Sequence, residues 1–222
     1  MSPAAEPKPT RRDQILAAAA ELFARSGFHG VGIDDIGSAV GISGPALYRH
    51  FRSKDAMLGE MLTSISDYLL AGGLRTVEAI PEPALALDGL IRFHVAFALD
   101  NPALITVQER SLANLGEPDR RRVRAMQRRY VETWVQTITS AVPGTEEPGA
   151  RAAAHAVFGL INSTPHSTHL GRDEMAELLF RMARAALVSP GSLVDSANPS
   201  ATMSTGVDTG VIAEESEREV SA

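Results

Sequence analysis

The sequence predicts an all-α protein of about nine helices, a three-helix helix-turn-helix unit at the N-terminus followed by a larger helical body. Three observations carry this expectation. Apolar residues recur at helical spacing along most of the chain. No run of β-branched residues alternates with polar ones. Alanine and leucine are abundant, and Pro and Gly cut the pattern into segments of helical length. With 222 residues and 44% hydrophobic content, the chain has enough apolar surface to bury a sizeable core.

The elements follow in order. Residues 1–9 hold three prolines and no periodicity, so a disordered arm is expected. A helix starts at Thr10, where Thr10 and Asp13 form a capping-box-like pair, and Gly27 ends it. Its apolar stripe is Ile15, Leu16, Ala19, Leu22 and Phe23. A short helix, Ile33–Val40, is closed by Gly41 in a left-handed conformation. Ser43 caps the next helix, which tolerates Pro45 in its first turn and runs to His50. Ser53 caps a long helix from Lys54 to Gly72 or beyond. Further helices are expected at Ala84–Leu99, from Asn101-Pro102 to Leu115, at Pro118–Val142, at Ala150–Ser163 and at Asp173–Ser189. Beyond Pro190 the composition turns to Ser, Gly, Thr and acids, which predicts a disordered tail over 191–222.

Composition narrows the function classes. The chain has no cysteine, which excludes disulfides and thiolate metal sites and fits a cytoplasmic protein. It shows no secretory signal pattern and no stretch of ~20 apolar residues, so no membrane partner is expected. The net charge of −6 argues against a polyanion partner only at first sight. Six acids and one base fall in 191–222, which leaves the rest of the chain near −1. The P-loop, G-x-G-x-x-G, G-x-S-x-G and H-E-x-x-H patterns are all missing, so no catalytic residues are assigned and no enzyme is expected. No cofactor or metal is expected either. His166 and His169 sit in a Pro- and Ser/Thr-rich stretch that reads as a loop.

The segment Ile33–His50 reads helix, tight turn, helix. Ile36, Val40, Ile42 and Leu47 would form its small core, leaving the outward face of the second helix free to enter a DNA major groove. The expected DNA-binding residues are Ser43, Gly44, Pro45, Ala46, Tyr48, Arg49, His50 and Lys54. Small residues at the start let the backbone approach. Tyr48 can donate to a phosphate, and Arg49 to a guanine edge or a phosphate. Lys54 adds a cation at a helix N-terminus.

The stretch IDDIGSAVGISGPALYRHFRSKDAML, preceded by ILAAAAELFARSGFHGVGI, resembles the N-terminal domain of the TetR family of bacterial regulators. The resemblance covers Thr10–Ala71. Two departures stand out: Val31-Gly32 replaces the usual hydroxyl pair before the second helix, and Gly37 replaces a common Ala. The resemblance implies a DNA-binding domain over 10–71 and a ligand-binding and dimerisation domain over 72–190. It implies a homodimer paired through helices 150–163 and 173–189, and a palindromic double-stranded operator. It further implies a repressor released by a small-molecule effector, or alternatively an activator, or a regulator answering another small hydrophobic compound or a protein partner.

In the body, IRFHVAFALDNPALITVQER and the arginine-rich helix after it resemble regulators of acyl-CoA catabolism in actinobacteria. That resemblance implies an apolar tunnel beside a basic patch, with an acyl-CoA as the ligand. The expected ligand-binding residues are Phe93, His94, Phe97, Ile105, Gln108, Trp134 and Arg128. His94, on an apolar helix, reads as a hydrogen-bonded pocket or core residue. The arginines from Arg120 to Arg129 read first as a solvated face.

Overall fold

A computed structural model describes residues 9–164 and 170–188. The arm before residue 9, the segment carrying His166 and His169, and the acidic tail lie outside the described residues. Among the described residues there are nine α-helices and no strand. They are α1 (Arg11–Ser26), α2 (Ile33–Ala39), α3 (Gly44–Leu47), α4 (Lys54–Ala79), α5 (Pro83–Asp100), α6 (Pro102–Ser111), α7 (Glu117–Ala141), α8 (Glu147–Ile161) and α9 (Arg172–Val188), with a 3-10 turn at Leu112–Asn114 after α6.

The helix ends follow local chemistry. Thr10 N donates to Asp13 Oδ2 at 2.8 Å, and Asp13 N donates to Thr10 Oγ1 at 3.2 Å, so the shorter acid closes a full capping box. These bonds hold the Asp13 carboxyl below its ordinary pKa. Ser43 and Ser53 each accept from the amide three residues on, capping α3 and α4. Gly32 has no side chain to offer. The start of α2 is instead satisfied in reverse, Gly32 N donating to the Asp35 carboxylate at 2.7 Å.

One boundary differs from expectation. The second helix of the helix-turn-helix unit is regular only through Leu47, and Tyr48–His50 continue as turn. His50 N donates to Leu47 O at 2.9 Å, a tighter pitch that bends the chain toward Phe51, which enters the core at 3% exposure.

Helix α4 is the spine. It touches α1 at its first half and packs along α5 and α7, while α6 lies against α1 and α9 closes over α5 and α8. The expected boundary near residue 71 falls inside α4, and one apolar cluster runs from Ile15 and Phe23 through Leu58 and Leu62 to Leu90, Trp134 and Leu187. Close backbone approaches lock this spine: a Cβ at Gly59 would sit 2.7 Å from the Asp119 carboxylate of α7, and one at Gly73 would sit 2.6 Å from the Tyr130 ring. No single described helix is long and apolar enough to cross a membrane.

Candidate DNA-reading head and inter-helix cavity

The reading head is built on two residues with no solvent exposure, Ile36 of α2 and Leu47 of α3. Val40 and Ile42, expected in the same core, are only half-buried against it. Gly41 takes φ 70, the left-handed conformation that the tight turn requires. Gly37 is the residue α2 places against the returning chain: a Cβ there would lie 2.7 Å from Ile42 O. The departure from Ala is thus a packing requirement.

The structure divides the expected DNA-binding residues. Ser43, Pro45, Tyr48 and Arg49 are exposed, Tyr48 at 55%. Ala46 and His50 are half-buried. Two expectations are corrected. Gly44 is buried, and its Cα faces the Asp34 side chain of α2, so its size serves helix-to-helix approach and not the outer face. Lys54 points inward. Its ammonium donates to Phe28 O at 2.8 Å and to Val31 O at 2.7 Å, and stands 4.5 Å over the Phe28 ring. Two of its three donors are spent on the loop between α1 and α2, so Lys54 clamps that loop to the start of α4. Val31, where the family has a hydroxyl, is buried at 3% and supplies one of those carbonyls.

Sequence reasoning missed the arginines that brace this head. Arg12 donates through its Nε to Glu60 Oε1 at 2.7 Å, reaches the His50 carbonyl, and lies 4.0 Å over the Phe51 ring. The Glu60 bond raises the guanidinium pKa above its ordinary value. Arg11 bonds the Val40 carbonyl. Arg52, two residues beyond His50, is exposed beside this face and lines a shallow groove with Arg12 and His50. A basic residue directly after the second helix was the available signal.

Behind the head, α4, α5, α6, α7 and α8 line a half-open cavity of about 200 Å³, with exposed His155 at its mouth. His94 and Gln108, both expected, are in its wall; Ser66, Gln127, Tyr130 and Asn162 join them. His94 is buried, with Nδ1 3.1 Å from the Tyr130 hydroxyl and Nε2 3.2 Å from Asn162 Oδ1. One neutral tautomer satisfies both: Nε2–H donates to Asn162, and Nδ1 accepts from Tyr130. Burial lowers the His94 pKa to about 4 and raises that of Tyr130. The expectation of a hydrogen-bonded pocket histidine matches this geometry.

The other expected ligand residues are elsewhere. Trp134 has no exposure and packs edge-on behind the cavity wall, its ring centroid 5.0 Å from that of Phe158. Ile105 is core. Phe93 and Phe97 stack on Tyr68 at 5.6 and 5.5 Å, and Phe97 faces a separate groove between α1 and α6. Arg128 is exposed and does not line the cavity, nor do the exposed Arg121, Arg122, Arg124 and Arg129. Glu117 pairs with Arg120 and Arg121, which fits the solvated-face reading.

On α8 and α9 the structure separates two sets that sequence joined. Ile161, Leu179 and Leu187 belong to the chain's own core, with Leu179 also forming the floor of the groove beside it. Leu160 and Leu178 are half-buried and Met182 is 46% exposed, and together they line an outward groove.

Comparison with known proteins agrees with this architecture. The family model for bacterial regulatory proteins of the tetR family matches residues 15–61. That for the tetracyclin repressor-like C-terminal domain matches 82–187. The chain is 41% identical over 66 residues to the transcriptional activator FasR of Mycolicibacterium smegmatis, covering 30% of each chain. It is 36% identical over 81 residues to the transcriptional repressor KstR2 of Mycobacterium tuberculosis, covering 36% of this chain and 40% of that one. The chain therefore spans well under half the length of these curated relatives. Three solved structures align over most of their length. A TetR-family regulator from Bordetella parapertussis has a TM-score of 0.68 at 26% identity, covering 78% of this chain and 93% of that one. M. tuberculosis KstR2 has 0.72 at 20%, covering 85% and 100%. AibR, solved with isovaleryl coenzyme A and operator DNA, has 0.66 at 18%, covering 78% and 97%. With both halves of its architecture matched, the chain belongs to the TetR family of bacterial regulatory proteins.

Proposed function

We infer that this chain is a ligand-responsive, sequence-specific DNA-binding transcriptional regulator, a homodimer that represses from a palindromic operator until a small molecule releases it. The observation that carries the reading is the outer face of α3 and its following turn. Ser43, Pro45, Tyr48 and Arg49 stand exposed on a framework fixed by buried Ile36 and Leu47, with Arg52 beside them. A narrow, rigid, positively charged ridge of this kind suits a major groove. Two residue ranges divide the work: 10–71 carries the reading head, and 72–190 holds the partner subunit and most of the effector cavity, whose wall Ser66 and Leu69 of α4 complete. The site of action is the bacterial cytoplasm, where the chromosome is, and no catalytic step is involved.

The outward groove on α8 and α9, with Leu160, Leu178 and Met182, supports pairing through this helix pair. A homodimer would present two reading heads to two half-sites about one helical turn apart. Selection of bound duplexes from a random pool tests the whole reading: an inverted repeat is expected, and recovery of no common sequence would overturn it. Arg49→Ala is expected to relax preference at one base pair by about 1–3 kcal/mol if Arg49 reads a base edge. Uniform weakening across sequences would instead make it a phosphate contact.

Release follows from linkage. The effector must favour the conformation that DNA disfavours, and each ligand then weakens the other's binding by the same factor. Tyr130 joins the cavity to the long helix that starts at the reading head, since it lines the cavity and abuts the α4 backbone at Gly73.

A further inference from the structure

We propose that the DNA contact extends past the reading head onto the body of the chain: Arg122 of α7, together with Arg52, grips a phosphate of the duplex flanking the segment that α3 reads. The proposal rests on the reading of the head as DNA-binding and adds to it a cation from the other half of the chain.

The head by itself is poor in free positive charge. Residues 10–71 hold six Lys and Arg against seven Asp and Glu. Three of the six cations are spent internally: Arg11 on the Val40 carbonyl, Arg12 on Glu60, and Lys54 on the Phe28 and Val31 carbonyls. The side chains of Arg25, Arg49 and Arg52 are left with no hydrogen bond or ion pair among the described residues, and Arg25 stands in the last turn of α1. Affinity for a duplex comes largely from cations set against phosphates, so a further source beside the head matters.

Helix α7 supplies one. It runs in the same direction as α4, since Gly59 faces Asp119 and Gly73 faces Tyr130. Its start therefore stands beside the start of α4, at the head end. Side chains on a helix lean toward its N-terminus, which turns Arg122 toward the head. Arg122 and Arg52 line one groove of about 490 Å³ with Arg12 and His50. Thr63 and Ser64 of α4 add two hydroxyls to the same wall, further donors for a phosphate. The groove also holds two carboxylates. Glu60 is paired with Arg12, and Asp119 is half-buried against Gly59. Three guanidiniums outnumber them. Arg120 and Arg121 pair with Glu117, whereas Arg122 is exposed and has no carboxylate partner among the described residues. Beyond Arg122, α7 carries Gln127 and Tyr130 into the wall of the cavity, roughly 7–12 Å further along the same helix. A shift of α7 at the cavity would thus move a DNA contact directly.

The experiment measures binding of the full chain to the selected duplex and to an unrelated one, at several salt concentrations. Arg122→Ala is expected to weaken both about three- to tenfold near 0.1 M salt, and to make the slope of log affinity against log salt shallower by about one. Its melting temperature should stay that of the natural protein, because the side chain is exposed and unpaired. Arg122→Lys keeps the charge and should recover most of the slope. Arg128→Ala removes an equal charge from the same helix outside the groove, about a screening length away, and should leave the slope unchanged. Trimming the duplex from its ends should lower the affinity of the natural protein to that of Arg122→Ala before the recognised sequence is reached. A slope that Arg122→Ala leaves unchanged overturns the proposal. An equal loss in Arg128→Ala does so too, since it reflects the charge of the whole surface. A natural protein that binds no duplex overturns the reading of the head as well. Sequence-specific binding indifferent to Arg122 leaves that reading standing and refutes this contact alone.

Discussion

At the scale of single residues, burial decides which cations are free to meet DNA. Lys54 is held by two carbonyls, so Lys54→Ala should cost about 1.5–3 kcal/mol of stability, as for hydrogen bonds to a charged group. The salt dependence of DNA affinity should stay unchanged, measured by thermal melts beside binding at several salt concentrations. A slope shallower by about one ion would return Lys54 to the phosphate contacts. His94 carries a second prediction. Its folded-state pKa, lowered to about 4 by burial, lies below that of the unfolded chain. Between pH 6.5 and 4 the unfolded state therefore binds the extra proton, and stability falls as pH falls, by about 3 kcal/mol for this group. Denaturant melts at pH 7 and pH 4.5 check this, and His94→Asn should flatten the difference.

At the scale of elements, the sequence shows where helices begin better than which way their side chains turn. Thr10, Ser43 and Ser53 act through bonds spanning three residues, so their caps were legible from spacing alone. The inward turn of Lys54 was not, because Phe28 and Val31 lie 26 and 23 residues away and meet it only after α1 folds back. Gly44 was misread for the same reason, its neighbour Asp34 belonging to another helix. Gly37 sharpens the lesson. Helix propensity alone says that Gly37→Ala stabilises α2 by about 1 kcal/mol. The Ile42 carbonyl, 2.7 Å from the added carbon, predicts instead a loss of about 1–3 kcal/mol and weakened DNA binding. Melting temperature decides the sign. In the cavity, His94 was found because a polar residue on an apolar helix is conspicuous, and Gln108 through the resemblance of its stretch to acyl-CoA regulators. Ser66, Gln127 and Asn162 come from three further segments and carry no such mark.

At the scale of the whole molecule, the proposed dimer and the reading heads are linked by one continuous core. Met182→Glu places a charge on the outward groove of α8 and α9. It should give a monomer by light scattering at micromolar concentration, with operator affinity lost and the helical content kept. A dimer that persists would move the interface elsewhere. The long α4 has a final consequence, one of leverage. Nineteen residues separate Gly73, where Tyr130 presses on the helix, from Lys54 at its start. At a rise of 1.5 Å per residue that arm is roughly 29 Å long. A tilt of about 5° swings its tip by roughly 2.5 Å, and two opposed arms double the change to about 5 Å. The rise of one base pair is about 3.4 Å, so a rotation smaller than many side-chain adjustments would put the two heads out of step with the groove.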